Sequence, residues 1–164
     1  MSLEPLDTED YWKAVIDWAA PRKWHKDKED PGVSLAKSTK KEYGIYRFER
    51  RHGNQKNSRE NLYIGIAYDQ NFETRLNQGF YEKKLRNAKA GQIWVSAGVI
   101  DLVGSKHVRG RYEEIETLLI YFTEPVLNIR KKEWGPECYC EIVNEGYRGP
   151  LPQYIRYPVA EVRY

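Results

Sequence analysis

The chain has 164 residues, 40% of them apolar, with 27 Lys and Arg against 24 Asp and Glu, and 22 aromatic side chains in 5 Trp, 13 Tyr and 4 Phe. That length allows about one domain, the aromatic content argues against wholesale disorder, and no run nears the roughly 20 apolar residues of a membrane helix. The net charge of +3 hides a division: residues 37–111 carry 16 basic against 7 acidic residues, while 1–36 and 112–164 are each net −3, so a polyphosphate partner is expected at the centre.

In chain order, the acidic stretch Glu4–Asp10 lacks the basic-then-apolar layout of a signal peptide, so an intracellular, cytoplasmic protein is expected. Asp7 to Ala20, with Tyr11, Val15, Ile16 and Trp18 spaced near one helical face and Pro21 behind them, predicts an N-terminal helix. Arg22 to Lys41 is polar, contains Pro31-Gly32, and predicts a loop.

Tyr43–Glu49 and Asn61–Ala67 alternate around Ile45, Leu62, Ile64 and Ile66, which predicts a β-hairpin with a basic turn. Asn71–Ala88 suits a helix and Gln92–Val103 a third strand. Arg111–Phe122 repeats apolar residues at Ile115, Leu118, Leu119 and Phe122, the stripe of a helix packed on one side, with Pro125 ending it. The tail from Ile129 is predicted to be extended segments and turns, and Cys138-x-Cys140 to be two free thiols. The expected architecture is therefore α+β: a small antiparallel three-stranded sheet flanked by helices in 43–128, preceded by a helix and loop in 1–42 and followed by an extended tail in 129–164.

Gly44-Ile45-Tyr46 on the first strand and Tyr63-Ile64-Gly65 on the second make the chain resemble the GIY-YIG nuclease family. Arg75, in Phe72–Leu76, is similar to the family arginine, and Glu116 followed by Pro125-Val-Leu-Asn128 is similar to its glutamate helix and Pro-x-x-Asn ending. The resemblance covers about residues 43–128. It departs where a histidine often follows the arginine by one turn: Gly79 stands there, which passes that role to Tyr81, Lys83 or His107, or leaves it vacant.

The resemblance implies a metal-dependent endonuclease acting on double-stranded DNA, in which a motif tyrosine positions or deprotonates the water, Tyr46 being favoured with Tyr63 in support. Glu116 would hold Mg²⁺ or Mn²⁺ through a hard oxygen donor, with Glu113 as second choice, and Arg75 would grip the scissile phosphate as a planar fork. Gly44 and Gly65 would allow close approach, and Asn128 and His107 would support the site. Nucleic-acid contacts are expected from Arg47, Arg50, Arg51, Lys56, Arg59, Lys83, Lys84, Lys106, Arg109 and Arg111. The bland alternatives are strand tyrosines packed on a half-buried sheet, a DNA-binding domain of the same fold without efficient cleavage, and a basic module whose partner is a protein.

Overall fold

The computed structural model describes residues 11–24, 44–51, 59–76, 85, 92–129, 135–136, 138–158 and 161–164. Among them strand outweighs helix, 50% to 19%, in one eight-stranded sheet curled into a half-barrel. The strands are β1 (Tyr11–Trp18), β2 (Arg22–Lys23), β3 (Gly44–Arg51), β4 (Arg59–Ala67), β5 (Gln92–Val103), β6 (Tyr139–Gly146), β7 (Tyr154–Tyr157) and β8 (Glu161–Arg163). The helices are α1 (Phe72–Leu76) and α2 (Arg109–Thr123). Strand order is β4-β3-β5-β1-β6-β7-β8, with β2 paired to β5.

This overturns the expected architecture of a small three-stranded sheet flanked by helices. β4, β3 and β5 are neighbours, but β1 and β6–β8 extend the same sheet far beyond them. The segment read as an N-terminal helix is β1. Its burial alternates, with Trp12, Ala14, Ile16 and Trp18 inside and Tyr11 and Asp17 out. Its apolar residues satisfy a period of 2 as well as one of 3.6, and β-branched and aromatic side chains suit a strand. A slot between β5 and β6 then decides the matter, with β1 antiparallel to β5 and parallel to β6. The tail read as loose extended segments forms the antiparallel ladder β6-β7-β8, its prolines 150, 152 and 158 falling between strands.

Two cores lie on opposite faces. On the inner face Trp12, Ile16, Trp18, Ile45, Ile64, Ile100 and Ile142 pack against Tyr112, Ile115, Leu118, Leu119 and Ile120 of α2. On the outer face of β3, β4 and β5, Tyr46, Phe48, Val95 and Ala97 pack against Phe72 and Leu76 of α1 and against Leu85. α2 ends where Glu124 adopts a left-handed conformation (φ 44°) and donates its N–H to the Ile120 carbonyl, with Pro125 barring continuation. The chain then covers the outer edge of β4: Val126 and Leu127 donate their N–H groups to the Asn61 and Leu62 carbonyls at 3.2 and 2.8 Å. That removes an exposed edge that could pair with another chain. Cys138 and Cys140 are free and buried, their sulfurs 3.8 Å apart, and the contact with the Cys138 thiol, helped by burial, pushes the Cys140 thiol up.

Candidate active site

The outer face of β3 and β4 brings together four of the residues singled out in the sequence. Tyr46 is registered opposite Gly65 and stacks against Tyr63, ring centroids 6.3 Å apart. Arg75, one turn into α1, donates from Nε to the Tyr46 hydroxyl oxygen at 3.3 Å. Asn71 starts α1 as an N-cap, its Oδ1 accepting the Thr74 N–H at 2.7 Å, so the helix that carries Arg75 begins at a defined point.

The two motif glycines have steric reasons. A Cβ on Gly65 would lie 2.3 Å from the Tyr46 hydroxyl oxygen, and one on Gly44 would lie 2.2 Å from the Phe72 ring and 2.7 Å from the Gly98 carbonyl oxygen. Gly65 therefore makes room for the Tyr46 ring, and Gly44 lets α1 sit directly on the sheet. Tyr46 is fully buried whereas Tyr63 is partly exposed.

Asn128 grips the edge of β4 with both ends of its amide. Oδ1 accepts the Ile64 N–H and Nδ2 donates to the Ile64 carbonyl, each at 2.9 Å. It thereby ties the segment after α2 to the strand of the second motif.

Glu116 lies on α2 with a buried residue one turn before it, Tyr112, and another one turn after, Ile120. Its side chain is half buried beside the apolar stripe, on a helix that packs on the inner face, whereas Tyr46, Tyr63 and the Arg75 helix share the outer one. Glu113 is exposed and paired with Arg109 at 2.9 Å, which makes it the weaker candidate. Among the described residues no group of three or more His, Cys, Asp or Glu could enclose a metal ion. A single oxygen donor still suits Mg²⁺, which keeps several waters and shares the substrate's phosphate; the donor chemistry therefore fits an open site and not a closed cage.

His107 is grouped elsewhere. Its Nδ1 hydrogen-bonds the Tyr112 hydroxyl, Tyr112 meets Tyr68 edge-on at 5.3 Å, and the Arg109 guanidinium lies 6.0 Å over the Tyr68 ring. Tyr112 belongs to the inner core and Tyr46 to the outer one. Tyr68 and Tyr112 were not singled out in the sequence, where an aromatic following a strand or inside a helical stripe carries no distinguishing signal.

The expected basic surface is largely neutralised. Arg47 is a correction: it is fully buried in an ion pair with the equally buried Glu49, at 2.7 Å, and donates to the Tyr147 carbonyl at 3.1 Å, so it offers nothing to a phosphate. The alternation of β3 turns it to the inner face while Tyr46 and Phe48 face out. Burial lowers the affinity of its guanidinium for the proton, and Glu49 opposes that. Arg51 also bonds Glu49 at 2.7 Å and lies 4.1 Å over the Trp94 ring. Arg50 pairs with Glu60, and Arg111 with Glu114 at 2.9 Å. Arg59, Lys106 and Arg109 are exposed. Lys56, Lys83, Lys84, Gly79 and Tyr81 lie outside the described residues.

No helix among the described residues is long and apolar enough to cross a membrane. Compared with known proteins, the chain matches no family model significantly, and no curated protein or solved structure matches it either.

Proposed function

We propose that the chain is a metal-dependent endonuclease that hydrolyses phosphodiester bonds in DNA, with Tyr46, Tyr63, Arg75 and Glu116 as its working residues. The observation that carries this reading is the convergence of the motif tyrosines and Arg75, from two strands and a helix, on one hydrogen-bonded and stacked cluster. The glycine beneath the Tyr46 ring is explained by packing; the guanidinium aimed at the phenol is what packing alone does not require.

In this reading Arg75 binds the scissile phosphate and stays charged at any working pH. Its contact with the Tyr46 oxygen orients the guanidinium. Because Tyr46 is closed to solvent, the residue facing the attacking water is the partly exposed Tyr63, and Tyr46 acts through it and through Arg75. Glu116 would hold Mg²⁺, which when bound supplies neutralisation of phosphate charge and a more acidic water. Asn128 keeps the strand of Tyr63 fixed to the segment that follows the Glu116 helix.

Nicking of supercoiled plasmid tests the reading. Cleavage that requires Mg²⁺ or Mn²⁺ and falls at least about 100-fold in Glu116→Ala and Arg75→Ala is the expected result. The full burial of Tyr46 favours one second reading, a DNA-binding domain without efficient cleavage. It takes over if the wild type shifts DNA in a salt-dependent way yet nicks nothing with either metal.

A further inference from the structure

The two edges of the sheet are treated differently. At the β4 edge Val126 and Leu127 pair with the Asn61 and Leu62 carbonyls, whereas β8, the last strand on the other side, has no neighbour beyond it among the described residues. Such an edge presents N–H and C=O groups to any strand of matching register.

The register across the last strands says which strand matches. Val103, Lys13, Glu141, Arg156 and Glu161 stand in one row from β5 through β1, β6 and β7 to β8. From Lys13 outward the charges run plus, minus, plus, minus, and Glu141 lies 3.9 Å from Arg156. The row stops at Glu161, where the alternation calls for a cation. The same strand carries one two residues further on, hence on the same face: Arg163, exposed and 5.2 Å over the ring of Tyr154.

A symmetric pairing brings that cation to the end of the row. Two copies of β8 laid antiparallel with Val162 opposite Val162 place Glu161 of each copy opposite Arg163 of the other, twice over by symmetry. Antiparallel pairings centred on Glu161 or on Arg163 set like charges face to face, as does a parallel pairing in register. A slip by one residue turns one copy's inner face outward. The symmetric register keeps both inner faces on one side, so that Val162, which packs against the inner core, meets its own copy.

We propose that the chain forms a two-fold dimer through β8, in one continuous sheet whose charge row reads Lys13, Glu141, Arg156, Glu161 and then Arg163 of the second copy. Backbone hydrogen bonds supply the affinity and the charge row the register, as in strand addition generally. Because β4 and β8 are opposite ends of the strand order, the two Tyr46 clusters lie at the far ends of the joined sheet, and the dimer does not depend on whether they cleave DNA. The contact is short, so a dissociation constant of roughly 1 to 100 µM is expected.

Sedimentation equilibrium of the full chain in EDTA, without nucleic acid, tests this. The wild type should show a reversible equilibrium between monomer and dimer. Glu161→Arg and Arg163→Glu each create two like-charged pairs across the seam and should weaken association at least about tenfold. Mixed one to one, the two variants should associate with each other about as tightly as the wild type, since every pair across the seam is again opposite in charge. That recovery also shows both variants to be folded. Glu145→Arg makes the same change in net charge as Glu161→Arg at an exposed position of β6 and should leave the constant unchanged. A wild type that stays monomeric up to about 1 mM, variants that stay apart on mixing, or a Glu145→Arg effect as large as that of Glu161→Arg overturns the proposal.

Discussion

The two halves of the outer sheet face use the same residue type in opposite ways. On β3 and β4 a tyrosine, Tyr46, is fully buried under α1, fitted over a glycine and hydrogen-bonded to an arginine. On β1 and β6 two tyrosines stand in the open beside Lys13 and Glu141. Both halves alternate with period 2, and β5 is common to both. The difference arises from what lies above them: a bare Gly44 admits Phe72 and so admits a helix, whereas Val99, its neighbour across the ladder, meets Asp17 and nothing covers them among the described residues. One glycine position thus divides a close-packed site from a solvated platform.

The sharpest way to break that contrast is Gly44→Ala. The added methyl meets a ring carbon and a backbone oxygen that cannot move aside, so overpacking should cost about 3 kcal/mol and lower the thermal midpoint by roughly 6 to 12 °C. Val143→Ala, on the half-buried open side, should cost less than about 1 kcal/mol; equal costs would remove the distinction between the halves. Next in size, Asn128→Ala leaves the Ile64 N–H and carbonyl without their side-chain partners. It should cost about 2 kcal/mol and speed hydrogen exchange at the Ile64 amide, which a merely surface-bound turn would not do.

Tyr46→Phe keeps the buried ring and removes only the oxygen that Arg75 contacts. Stability should change by about 1 kcal/mol or less while plasmid nicking falls at least about tenfold, and Tyr139→Phe should leave nicking as it was. The smallest effect is one of pH. Burial would raise the Glu141 carboxyl, but the hydroxyls of Tyr11 and Tyr154, with Lys13 and Arg156, hold it below the usual range. Its contribution is then fully present above the ordinary carboxylate pKa of about 4.3 and is lost as pH falls through the depressed folded value. The difference in thermal midpoint between wild type and Glu141→Gln should accordingly be constant from about pH 7 to 5 and shrink below about 4. Burial and the Glu141 contact raise the Tyr11 phenol, so that group's contribution holds at neutral pH and fades only above its ordinary value near 10.

Much of the region from Gly44 to Asn128 was legible because its signals are local. β5 spans Gln92–Val103 as expected, and α2 begins two residues before and ends one residue after the expected Arg111–Phe122. The resemblance of Gly44, Tyr46, Tyr63, Gly65 and Arg75 to the motifs of one nuclease family suggested a shared site. The ends of the chain were misread because their apolar residues fit two periods at once. Tyr11 to Trp18 satisfies a helix until β5 and β6, 80 to 90 and 128 residues away in sequence, offer it backbone partners. Charge was misread for a related reason: counting basic residues between 37 and 111 cannot show that Arg47 turns inward to Glu49 or that Arg50 and Arg111 each meet an acid.

The sequence by itself determined the alternation of β3, β4 and β5, the apolar stripe of α2, and the placing of two tyrosines and two glycines at fixed steps along neighbouring strands. These follow from periodicities of a few residues, which any chain of this composition must obey locally. Only the tertiary structure decided that β1 is a strand, that the tail completes the sheet, which arginines are buried, and which tyrosines are covered. Each of those depends on a partner distant in sequence, and the gain from burying an apolar face or pairing a strand edge exists only once that partner is in place.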